Sequence, residues 1–95
     1  MPVGRFQIEI HLPGAQSLKD KRAVLRALKD RLRHDFNISI AEIDHLDKWQ
    51  RAAIGVAAIG PDSVYLTGLL ERAAAEAERV LAAEVAVIGE IEIIA

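Results

Sequence analysis

The chain has 95 residues, 52% of them hydrophobic but only 4% aromatic, no cysteine and a formal net charge of −2. That length fits a single domain over residues 1–95 with an aliphatic core, and disulfides, thiolate metal sites and cysteine nucleophiles are excluded. No run approaches the ~20 apolar residues a bilayer requires, and Met1-Pro2-Val3-Gly4-Arg5 does not open a signal peptide, so a cytoplasmic protein with no membrane partner is expected.

Residues 3–12 alternate, with Phe6, Ile8, Ile10 and Leu12 on one side and Arg5, Gln7, Glu9 and His11 on the other. That is the period of a strand with one buried face. Pro13-Gly14 ends it. Ser17 then caps a helix, with Asp20 three residues on in a near capping box. Leu18, Val24, Leu25, Leu28 and Leu32 share one side of this helix, and Phe36 extends it. Lys21 falls on the same side; its stem is expected to lie along the core with the amine reaching out to water. Asn37 suits the turn that ends the helix.

Residues 38–45 read as a second strand carried by Ile38, Ile40 and Ile43, whose alternation slips near Ala41, as a β-bulge or an early strand end would make it. Asp44 to Lys48 is a polar turn, short enough for an antiparallel hairpin. The third strand, 50–59, sets Ala52, Ile54, Val56 and Ala58 on one face. Gly60-Pro61-Asp62 leads into a second helix over 62–83, with Pro61 suited to its first turn. Its apolar stripe is Leu66, Leu69, Leu70, Ala73, Ala77, Val80 and Leu81. Residues 85–94 close the chain as a strand, with Val85, Val87, Ile91 and Ile93 directed to the core.

The order β-α-β-β-α-β predicts an α+β, ferredoxin-like sandwich: a four-stranded antiparallel sheet with two helices on one face. The other face is expected to carry Gln7, Glu9 and His11, then Ala53, Gly55 and Ala57, then Ala86, Ile88, Glu90 and Glu92. A sheet that reads RNA needs stacking aromatics flanked by basic residues. This one offers none and several acids, so RNA on the sheet is disfavoured. Its small apolar residues suit either a plain open surface or two sheets packed face to face in a homodimer.

The charge is unevenly placed. Residues 17–35 hold seven of the twelve basic residues and three of the fourteen acids, which makes that segment +4 and the remainder −6. Lys19, Arg22, Arg26, Lys29 and Arg33 follow one another at steps of three and four and fall within about 80° of helix arc. Like charges so spaced repel by ~0.2–0.5 kcal/mol per i,i+4 pair, a cost that a bound polyanion removes. Such a row suits nucleic-acid phosphates. The plain alternative is a solvated helix face, or one salt-bridged to a neighbouring chain.

Asp44, His45, Asp47, Trp49, Gln50 and Arg51 gather on the hairpin, and Trp49 is the only tryptophan. A Trp beside an Arg is typical of interaction hot spots; the alternative is a ring folded back on the body as a lid. Two carboxylates and one imidazole at Asp44, His45 and Asp47 are too weak a pattern to assign a metal. His11 and His34 read as ordinary surface residues. No nucleophile is paired with a base and no Gly-rich phosphate loop appears, so no catalytic residue and no cofactor is assigned.

The segments His11-Leu12-Pro13-Gly14-Ala15-Gln16-Ser17-Leu18-Lys19-Asp20-Lys21-Arg22, Phe36-Asn37-Ile38-Ser39-Ile40-Ala41-Glu42-Ile43-Asp44 and Trp49-Gln50-Arg51-Ala52 resemble the YlxP-like bacterial family, a small domain of unknown function. The match runs nearly the length of the chain, with Leu46 and Lys48 departing from the pattern. The resemblance implies a ferredoxin-like fold and a link to translation, since relatives are often encoded among genes for translation initiation and ribosome maturation. The family has no established enzymatic activity, so the resemblance carries over no catalytic residue. The functional expectation is an accessory factor that binds ribosomal RNA or a ribosomal particle through Lys19, Arg22, Arg26, Lys29 and Arg33, with Asp44, Trp49, Gln50 and Arg51 as an interaction hairpin. The alternatives are a dimeric ligand-binding module of ACT type, which shares this element order, and a structural homo-oligomer.

Overall fold

Phe6, Ile8 and Ile10 are buried while Arg5, Gln7 and Glu9 are exposed along the first strand, β1 (Val3–His11), as the alternation requires. The computed structural model describes residues 1–94, so Ala95, the last residue of the expected domain, lies outside it. After β1 come helix α1 (Leu18–Asp35), strands β2 (Ser39–Asp44) and β3 (Arg51–Ile59), helix α2 (Ser63–Val80), and two short strands, β4 (Val85–Ile88) and β5 (Glu92–Ile94). All strand pairs are antiparallel, in the order β2-β3-β1-β4, with β5 also paired to β1.

Both helices begin where the sequence marks them. The Ser17 hydroxyl accepts from the Asp20 amide at 3.1 Å, and the Asp20 carboxylate accepts in return from the Gln16 amide at 2.9 Å. The reciprocal half of the capping pair thus lands one residue before the cap. Asp62 caps α2 by accepting from the Tyr65 amide at 2.8 Å, which puts Pro61 just ahead of the cap. The helix ends at Val80, three residues short of the expected 83.

One core joins the layers. Phe6, Ile8 and Ile10 of β1 meet Leu25, Leu28 and Leu32 of α1, Ile54 and Val56 of β3, and Leu66, Leu69 and Leu70 of α2. Gly4 lets α2 close onto β1. A Cβ placed there would stand 2.5 Å from Leu70 Cδ1 and 2.8 Å from Ile93 Cδ1.

The expected fourth strand is two strands. Ile8 opposes Ile88, but Arg5 opposes Glu92, so residues 89–91 face only Phe6 and Gln7 of β1. One extra residue makes a β-bulge, anchored where the Gly89 amide donates to the Gln7 carbonyl at 2.8 Å. A bulge inverts the alternation beyond it. Ile93 therefore packs on the core as expected, whereas in β4 it is Ala86 and Ile88 that do so. Val85 and Val87, expected inside, stand on the open face, 56% and 62% exposed. A second register shift, between Glu42 and Asp44 of β2, is the slip expected near Ala41, placed slightly later.

Replacing Gly4 with alanine is expected to destabilise the protein by about 1–3 kcal/mol, since Leu70 and Ile93 must leave their packed positions. Urea unfolding followed by circular dichroism measures it, and an unchanged midpoint would contradict the tight approach.

Candidate nucleic-acid interface

Helical spacing turns the five cations of α1 into a ridge. Lys19, Arg22, Arg26 and Arg33 are exposed and Lys29 is partly so. Among the described residues none of the five forms an ion pair with a carboxylate. Arg33 alone has an internal partner, donating to the Ile40 carbonyl at 3.1 Å, which turns its guanidinium toward β2. Arg22, Arg26, Lys29 and Arg33 line a groove of about 280 Å³ together with Leu25, Asp30 and Glu42. Glu42 brings little free negative charge to that groove, because Lys21 neutralises it.

Lys21 does not send its amine to water. It is 1% exposed. Its Nζ lies 2.7 Å from Glu42 Oε2, 2.9 Å from the His45 carbonyl, 3.3 Å from the Arg51 carbonyl and 3.4 Å from the Leu46 carbonyl. The helix presses this part of its surface against the β2–β3 hairpin, so the shortest route to polar partners runs into the turn. A buried ammonium needs such partners, since an unpaired charge in the interior is very costly.

The hairpin end is held on a second side. Gln50 Nε2 donates to the Ala15 carbonyl at 3.1 Å and the Pro13 carbonyl at 3.3 Å, and the Leu12 amide donates to the Gln50 carbonyl at 3.0 Å. Gln50 is thus a tie to the β1–α1 loop. Asp44 accepts from the His45 amide at 2.7 Å. His45 takes a left-handed backbone, φ 61°, which reverses the chain and delivers its carbonyl to Lys21.

Trp49 is not a lid. It is 53% exposed and, with His11, Asp47, Lys48, Gln50 and Arg51, lines an open concavity of about 580 Å³. Asp44 is not part of it. His11, which reads from sequence as an ordinary surface residue, belongs there because it pairs with Arg51 across β1 and β3. Antiparallel pairing of the first strand with the third would have found it. Lys21 stands out in the sequence as the one charge on the apolar side of α1, but the inward course of its amine does not.

No group of three or more His, Asp or Glu among the described residues is arranged to hold a metal ion. No helix among them is long and apolar enough to cross a membrane.

The geometry defines a ferredoxin-like α+β sandwich with a cationic helix face beside an aromatic hairpin. Residues 3–89 match the family described as "Protein of unknown function (DUF503)", and the chain belongs to that family. It is 40% identical over 70 residues to the uncharacterized protein YlxP of Bacillus subtilis (strain 168), covering 74% of this chain and 76% of that one. Among solved structures it is similar to a C-terminal segment of the alpha subunit of aIF2 from Pyrococcus abyssi, with a TM-score of 0.59 and 21% identity. That similarity covers 93% of this chain and 49% of the other, so the chain spans about half the length of that segment. At this identity the likeness shows the fold.

Lys21→Met strands the Glu42 carboxylate, 15% exposed, and three carbonyls, and is expected to cost about 3–5 kcal/mol in urea unfolding. Removing Glu42 as well, in Lys21→Met/Glu42→Met, should recover part of that loss. A double variant as unstable as the sum of the two single variants would show that the pair is not coupled.

Proposed function

We propose that this protein is a cytoplasmic accessory factor, acting as one domain over residues 1–95, that binds structured RNA of the ribosome through the basic face of α1. The observation that carries the reading is the row Lys19, Arg22, Arg26, Lys29 and Arg33, whose charges no carboxylate among the described residues offsets through an ion pair. Mutual repulsion along such a row is relieved by an external polyanion. The remainder of the molecule is acidic, which favours one orientation on a phosphate surface. The family resemblance and the fold shared with a segment of an aIF2 subunit agree with a place in translation.

Binding to ribosomal RNA fragments, followed by fluorescence anisotropy across a salt series, tests this. With about four phosphate contacts, affinity should fall roughly 100-fold between about 50 and about 200 mM salt. Arg22→Glu/Arg26→Glu should weaken binding to all RNAs alike and flatten the log–log slope by about 2. Affinity indifferent to salt, or untouched by the double reversal, would overturn the reading.

The outward Val85 and Val87 favour a second reading, in which two copies pair through the open sheet face. Ile43, Ile59 and Ile94 are exposed as well, so that face is more apolar than the sequence suggests. Sedimentation across the micromolar range should show a dimer, and Val85→Lys/Val87→Lys should give a monomer of unchanged helicity. A wild-type protein that stays monomeric throughout removes this reading.

A further inference from the structure

The concavity around Trp49 holds groups the ridge does not use. Trp49 is the largest side chain in the protein, yet more than half of it faces solvent. An exposed aromatic on a loose turn would lose much of its binding energy to ordering. This one is braced on both sides. Immediately after it, Gln50 is tied through side chain and backbone to Leu12, Pro13 and Ala15. The carbonyls of His45, Leu46 and Arg51 are gathered by the buried Lys21 ammonium. The Lys48 amide donates to the His45 carbonyl at 2.9 Å, closing the turn that carries the ring. A flat surface held in advance binds a flat partner with little further cost.

The surroundings select that partner. Lys48, Arg51 and His11 share the concavity with a single carboxylate, Asp47. Lys48 and Arg51 have no ion-pair partner among the described residues. An aromatic face beside free cations is what an unpaired nucleotide requires: the base stacks and the phosphate is met by the cation. The location agrees. Lys21 sits in the first turns of α1, so its clamp ties that end of the helix to the hairpin that carries Trp49.

We infer that Trp49 is the stacking platform for one unpaired nucleobase, with Lys48 and Arg51 on its phosphates, so that the preferred ligand is an RNA duplex bearing a single-stranded end or loop. This rests on the proposed RNA binding by α1 and specifies its substrate class. A protein partner would also use an exposed Trp, but the unpaired cations beside the ring favour the nucleotide.

Because Trp49 is the only tryptophan, its fluorescence reports stacking directly. The full chain is titrated with a blunt RNA duplex and with the same duplex carrying a short single-stranded overhang. Affinities are read separately by anisotropy of a dye on the RNA. The overhang duplex should bind more tightly and quench Trp49, whereas the blunt duplex should leave the emission nearly unchanged. Trp49→Ala should lose about 5- to 100-fold in affinity for the overhang duplex and nothing for the blunt one, and Trp49→Phe should keep most of the preference. Equal affinities for the two duplexes, with no quenching by either, overturn the stacking role while leaving RNA binding by α1 standing. Failure of both duplexes to bind at low salt overturns the proposed function and this inference together.

Discussion

The Lys21 ammonium is the contact on which the working end of the molecule depends. One buried cation joins α1 to β2 through Glu42, to the hairpin turn through the His45 and Leu46 carbonyls and to the start of β3 through that of Arg51. Its stem is packed in a site where a leucine would otherwise be expected. The desolvation cost of such a group is offset only by close, complete coordination. The turn must therefore hold one shape: a looser one would leave either the ammonium or the carbonyls without partners. The left-handed His45 is a local strain that this coordination supports.

Two surfaces follow from that contact. With Lys21 turned inward, the five cations of the ridge stay outward, and of the two acids in their groove, Asp30 and Glu42, the second is already paired with Lys21. On the other side of the clamp the hairpin end becomes part of the body. The ridge lies on the helical layer, whereas the Trp49 concavity opens onto the free face of the sheet through His11 and Arg51. That free face mixes polar and apolar groups. There Glu9 lies between Ala53 and Val87, and His11 between Arg51 and Val85. Ala53 is almost fully covered at 2% exposure, and Ile43 lies over Gly55, with its Cγ2 3.1 Å from where a Cβ would stand.

The fold was largely legible because two periods rarely mislead. The alternation in residues 3–12 and the stripes Leu25, Leu28, Leu32 and Leu66, Leu70, Ala73 have no competing arrangement, and Ser17 marks the start of the first helix. Residues 85–94 misled because nearly every position is apolar or acidic and both faces look alike. With so little contrast, the extra residue within 89–91 decides whether Val85 and Val87 face inward, and only pairing with β1 reveals it. The cationic row was legible because a helix converts spacing into direction. Trp49, Gln50 and Lys21 were not: each depends on contacts between segments far apart in the chain, and composition alone cannot tell a brace from a contact surface.

The interrupted ladders have a bearing on how this protein behaves at high concentration. Strands β2 and β4–β5 are the borders of the sheet, and each carries an irregularity, between Glu42 and Asp44 on one side and at residues 89–91 on the other. An unbroken border offers a row of free amides and carbonyls that templates cross-β growth. Neither border here presents a long regular row, so open-ended fibrillar stacking is hindered even though the chain is rich in isoleucine and valine. The margins of this sheet are thus guarded by broken register rather than by proline.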